Sequence, residues 1–247
     1  MDQDIRQQRI LDGVELVDTI GMPEDGRMCI MSLVAFMAGE GHTDRPHCAS
    51  PLIACFAIPV NDNMPHDVRQ RLKPFAPRIM GTNDGCDRQR TALLRRVLAE
   101  EIMPRVGEMT GRSAGRPARL RRLWTRMRRA ELQSRVRRML RHTEEGCAPG
   151  RELDLAAAAG RLVTLCARDA AGQREAEWYW NAAIGLLDQL SSIGGEARPA
   201  HPVQVERLAR LEEVLQARNR LRAGLAAPRL PFWSGIASLS RTHERET

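Results

Sequence analysis

GRMCIMSLVAFMAGEGHTDRPHCASPLIACFAIPVNDNMPHDVRQRLKPFAPRIMGT, residues 26–82, is the stretch whose reading decides the fold. Met28 to Ala38 is apolar on nearly every side, the pattern of a central buried helix. Gly39 and Gly41 end it, and a polar loop over 40–50 follows. Ser50-Pro51 then opens a second helix, because Ser can cap and Pro at the first position gives up no needed N–H. The pattern predicts that this helix runs to about Ile58 and stops near Pro59. Asn61 to Pro65 reads as a turn and His66 to Leu72 as a short helix, with Pro74 and Pro77 breaking what comes next.

Working outward, Ile5, Ile10, Leu11, Val14, Val17 and Ile20 recur at helical spacing, with an interruption near Gly13, and GMPEDG (21–26) is a turn. On the other side, Asp87 to Met103 reads as a longer helix. Gly107, Gly111 and Gly115 mark a flexible joint. Residues 118–141 favour helix but carry two apolar faces, one of Leu120, Leu123, Trp124 and Met127 and one of Leu132, Val136, Met139 and Leu140. Such a helix either bends near Ala130 or packs on different partners at its two ends. HTEEGCAPG (142–150) is a linker, and three helices follow over Leu153–Ala170, Arg174–Leu190 and Pro202–Arg222. In the last of these Val205, Leu208, Leu211 and Leu215 are expected inward, with Val214 as a further candidate.

Composition agrees with a helical chain: aromatics make up only 4% of it, so Leu, Ala, Met and Val must fill the core. The expectation is an all-α fold of two helical units joined by an Arg-rich helix. An N-terminal helical domain takes 1–106. A Gly hinge, the Arg-rich helix and a linker take 107–150. A C-terminal bundle takes 151–227 and a tail takes 228–247. The longest apolar runs are about half of the ~20 residues that a membrane-spanning helix needs. Six cysteines without a disulfide-framework spacing, and no secretory leader, point to a reduced, cytoplasmic setting.

The signature beginning CIMSLVAFMAGEG resembles a family of uncharacterised bacterial proteins. Such a segment there carries C-x-M-x-x-V-A…A-G-E, then D-x-P-x-C-x-x-P-x-I, then R-L-K-P…P-R…G-T. Here it falls on Cys29, Met31, Val34, Ala35, Ala38, Gly39, Glu40, Asp44, Pro46, Cys48, Pro51 and Ile53, then on Arg71, Leu72, Lys73, Pro74, Pro77, Arg78, Gly81 and Thr82. The resemblance spans about a third of the chain and implies common ancestry without an established activity. Relatives often continue into Ala-rich repeats, of which only fragments occur here, at Ala156–Ala159 and Arg168-Asp169-Ala170-Ala171.

Charge is the strongest physical signal. Residues 112–141 hold twelve arginines and one acid, Glu131, and account for the whole basic excess of the chain. Lys73 is the only lysine. Such a segment sets up a local field that draws phosphate-rich partners. Its expected phosphate contacts are Arg121, Arg122, Arg128, Arg129, Arg137 and Arg138. A structural reading, in which the arginines pair with acids on other helices, stands beside it.

The polar loop is the second candidate, through His42, Asp44, His47 and Cys48. Cys48 beside His42 or His47, with Asp44 orienting the ring, is a nucleophile–base arrangement, and a helix starting at Ser50 would lower the thiol pKa. Cys29, His42, His47, Cys48 and Cys55 are donor types that suit zinc, but no C-x-x-C or H-E-x-x-H spacing orders them. Gly111-Arg112-Ser113-Ala114-Gly115 matches G-x-S-x-G, yet no strand precedes it, so it reads as a hinge. No Gly-rich phosphate loop surrounds Lys73.

The reading is therefore a non-enzymatic interaction module with an unknown protein partner, binding through the 40–50 loop and the Arg-rich helix. No catalytic residue, metal ligand or cofactor is assigned. Nucleic-acid binding through 112–141 is the alternative, and a thiol or zinc enzyme centred on Cys48 is the third.

Overall fold

In the computed structural model residues 28–38 and 52–60 lie at the centre, as their almost wholly apolar character requires. The described residues are 2–112, 120–142, 150–195 and 203–226, with side chains described within 5–108, 124–141, 150–195 and 203–221. They are mostly helical, so the fold is all-α. None of their helices is long and apolar enough to cross a membrane.

Helix α1 (Asp2–Gly13) leads into a small sheet of β1 (Glu15–Leu16), β2 (Gly21–Met22) and β3 (Arg27–Met28), in the order β1-β3-β2. The helical pattern expected through Val17 and Ile20 thus gives way to extended chain after Gly13. A side chain completes the sheet: Leu16 N–H donates to Gln70 Oε1 at 2.9 Å, and Gln70 Nε2 returns a bond to the Leu16 carbonyl at 2.9 Å.

Helix α2 (Ile30–Met37) is capped by Cys29, whose sulfur accepts from the Ser32 N–H, and is followed by Gly39 in a left-handed conformation, φ 81°. Helix α3 (Pro51–Asn63) starts as expected, with Ser50 Oγ accepting from the Ile53 N–H at 3.2 Å and Pro51 in the first turn. It does not stop at Pro59 but carries the proline inside and ends at Asn63. Buried Arg69 holds that end, donating to the carbonyls of Asn61 and Met64 at 2.8 Å each. These bonds satisfy terminal carbonyls that the helix itself leaves open.

Short turns of helix follow: α4 (His66–Arg69), a 3₁₀ segment over Gln70–Phe75, and α5 (Ala76–Ile79). Helix α6 (Asp87–Val97) runs through one π turn, Leu98–Ile102, into α7 (Met103–Arg112). Gly107 and Gly111, expected in a joint, are therefore inside a helix; Gly115 lies outside the described residues.

The Arg-rich helix α8 (Leu120–His142) is continuous. Its second apolar face packs, with Val136 buried and Leu132, Met139 and Leu140 partly so. Trp124 and Met127, expected to pack on the other face, are instead exposed. The remaining helices are α9 (Arg151–Arg168), α10 (Gln173–Ser192) and α11 (Val205–Ala226). On α11, Leu208, Leu211 and Leu215 turn inward as expected, whereas Val205 is exposed.

Helix α9 packs along α3, α10 packs on α9 and α3, and α8 covers a further side of α9. Where α3 and α9 cross, Gly160 takes the place that a side chain would contest: a Cβ there would sit 2.8 Å from the Phe56 carbonyl oxygen and 2.9 Å from Pro59 Cγ. The buried residues of 1–106 and of 151–227 form one cluster, so the two expected units share a core among the described residues. Helix α11 lies over α1, α2 and the turn at 23–25.

Candidate functional site

The 40–50 loop is built around Glu40, a residue that the sequence singles out only as part of the A-G-E signature. Its two carboxylate oxygens accept the backbone N–H groups of His47 and Cys48, at 2.6 and 2.7 Å. Burial by itself would raise the Glu40 carboxyl, but the hydrogen bonds from His47 and Cys48 and the nearby His47 ring outweigh it and hold the pKa below the ordinary value. Asn83 fixes the same stretch of loop, donating Nδ2 to the His47 carbonyl at 2.9 Å and its backbone N–H to the Cys48 carbonyl at 3.2 Å.

This lock places the expected loop residues in different settings. His42 and His47 are exposed, Asp44 is half-buried and Cys48 is buried at 8% exposure. Burial first, and Glu40 second, push the Cys48 thiol up to about 12. The expectation of an exposed thiol with a lowered pKa is therefore overturned. The adjacent carboxylate opposes the thiolate, and a nucleophilic cysteine needs the opposite environment.

The residues whose donor types suit zinc are also dispersed. Cys29 is buried at the cap of α2, Cys55 is half-buried on α3, and among the described residues no group of three His, Cys, Asp or Glu side chains gathers to hold a metal ion.

The rest of the signature serves packing. Thr82 Oγ1 accepts from the Ser50 N–H at 2.8 Å and donates to the Ile79 carbonyl, tying the start of α3 to the end of α5. From the R-L-K-P…P-R stretch, Arg71 donates to Asn181 at 2.8 Å, Lys73 to the Asp12 carbonyl at 2.9 Å, and Arg78 to Ser192 at 2.8 Å. Three cations thus fasten the centre to α1 and α10. Burial lowers the Lys73 pKa.

Helix α8 divides its arginines. Arg129 departs from the expected phosphate-contacting set: it is 2% exposed, and its Nη2 meets the carboxylate and the carbonyl of Asp169 at the end of α9. Gln133 and Val136 continue that buried stripe. Arg128, Arg137 and Arg138 are exposed, as are Arg135 and Arg141, and none of the five has a carboxylate partner among the described residues. The side chains of Arg121 and Arg122 lie outside the described residues, as do Ser113 and Ala114 of the G-x-S-x-G match.

At ~100° per residue, Trp124, Met127, Arg128, Glu131, Arg135 and Arg138 fall within about 100° of the helix circumference. Trp124 is 65% exposed and Met127 56%. This outward stripe combines guanidinium groups with an indole and a thioether, a mixture that recognises anionic groups and flat or apolar surfaces together. No family model matches the chain, and no curated protein and no solved structure matches it either.

Proposed function

We propose that the chain is a non-enzymatic interaction module that takes an acidic partner on the outer face of α8. The observation that carries this reading is the exposed stripe of α8, in which arginines without carboxylate partners among the described residues flank Trp124 and Met127. A face needed only for solvation gains nothing from exposing a large indole and a thioether. The 40–50 loop, held by Glu40, supplies a second, rigid polar patch through His42 and His47.

Nucleic acid is the second reading, and Trp124 is the feature that favours it. Bases stack on exposed aromatic rings while neighbouring guanidinium groups take the phosphates.

Titration of the full chain with polyglutamate, a labelled duplex of about thirty base pairs and the matching single strand, each across a salt series, separates the readings. Each phosphate neutralised contributes a slope of about −0.9 in log K against log salt for duplex, so replacing Arg128, Arg135 and Arg138 by Gln removes roughly two to three units. Polyglutamate binding alone supports the protein-partner reading. Nucleic-acid binding that weakens on Trp124→Ala supports the second. Absence of all binding at low salt removes both.

A further inference from the structure

A cavity of about 440 Å³ opens between the end of α2, the turn at Pro23–Asp25 and α11. Its apolar surface comes from Phe36 on α2 and from Leu211 and Val214 on α11. Its size lies within the range of about 300–1,000 Å³ that holds small organic ligands.

Two guanidinium groups line it, Arg207 and Arg210, three residues apart and so on one face of α11. Arg207 is already positioned: Nη1 donates to the Glu40 carbonyl at 2.5 Å, and the group lies 5.8 Å from the centre of the Phe36 ring. Arg210 is exposed and has no ion-pair partner among the described residues. Glu40 also borders the cavity with both carboxylate oxygens bonded to the loop amides rather than to the arginines; its charge remains and limits the negative charge that can enter. Glu24, at the exposed rim, disfavours a second negative charge on whatever enters.

We propose that this cavity binds a singly charged amphipathic anion, its apolar body against Phe36, Leu211 and Val214 and its carboxylate between Arg207 and Arg210. The site is separate from α8 and stands whether or not α8 takes a partner. A charge-assisted, two-point contact to a carboxylate is what a pair of guanidinium groups supplies, and an alcohol of equal chain length cannot use it.

Calorimetric titration of the full chain with decanoate and with decanol tests the site. Decanoate is expected to bind saturably at one site, with decanol about tenfold weaker. Arg210→Gln, at an exposed side chain, is expected to bring decanoate down to the level of decanol. Val214→Trp, which fills the cavity from a half-buried position, is expected to abolish uptake of both. Non-saturable decanoate uptake below its micelle threshold overturns the proposal. So does equal affinity in Arg210→Gln, or unchanged binding in a folded Val214→Trp protein.

Discussion

Arg90 carries a charge in a fully buried position, and its surroundings explain how. Nη1 and Nη2 fork onto the two oxygens of Asp84 at 2.7 and 2.8 Å, and Nη1 also reaches Asp87 at 3.0 Å. The same side chain donates to the carbonyls of Thr82, Leu190 and Ile193 at 2.9, 3.1 and 3.0 Å. It therefore joins the start of α6 to the end of α10 and to the Thr82 turn that holds α3. Removing Arg90 leaves the Asp84 carboxylate, whose side chain is only 11% exposed, without its cation, which costs up to about 3–5 kcal/mol, whereas Asp87, at 38%, can turn to water. Arg90→Met is expected to lower stability by that amount in urea unfolding. Arg90→Lys is expected to recover only part of it, because an ammonium cannot span the fork. A loss below about 1 kcal/mol in Arg90→Met would show that the network is not holding the helices together. Arg129 illustrates the same chemistry on α8: composition marks it as one of twelve equivalent arginines, and only its contact with Asp169, forty residues away, withdraws it from the surface.

At the scale of elements, the crossing of α3 and α9 depends on the missing side chain of Gly160. A Cβ there would press on the Phe56 backbone oxygen, which cannot move aside as a flexible side chain could. Gly160→Ala is expected to destabilise by about 1–3 kcal/mol through overpacking. Gly185, in the middle of α10, meets nothing within 4 Å, so Gly185→Ala is expected to stabilise by roughly 0.5–1 kcal/mol through helix propensity alone. Thermal melts of the two variants should shift in opposite directions, and a matching shift would remove the close-crossing argument. This contrast also marks what a sequence can disclose. Ser50-Pro51 announces the start of α3 because a cap is local chemistry, and the burial of α2 is written in a run that only Ser32 interrupts. The passage of α3 through Pro59 is not local, since it depends on packing against α9 about a hundred residues later. The strands β1 to β3 escape because each is two residues long and β1 is completed by the amide of Gln70. For the candidate site, composition picks out α8, but the outward position of Trp124 and the role of Glu40 emerge only from packing and from backbone amides.

At the scale of the whole molecule, one core has consequences that two separate units would not. Denaturation followed by helix content and by tryptophan fluorescence should give a single coincident transition, since α9 and α10 cannot leave α3 without exposing it. The same core contains groups that resist ionisation. Burial, reinforced at Cys48 by Glu40, raises Cys48 to about 12, and burial raises Cys166 to about 11 and moves Tyr179 in the same direction. An ordinary thiol ionises near 9.0, so between that value and about 11 the folded chain holds protons that the unfolded chain has lost. Stability linked to these thiols is thus fully present below pH 9 and declines as the pH rises through the folded values. The midpoint of unfolding is expected to fall steadily above pH 9, and Cys48→Ala with Cys166→Ala to flatten that decline while lowering stability at neutral pH through the cavities left behind. An alkaline slope identical in the double variant would assign the loss to other groups and show that the two thiols ionise as readily inside the core as outside it.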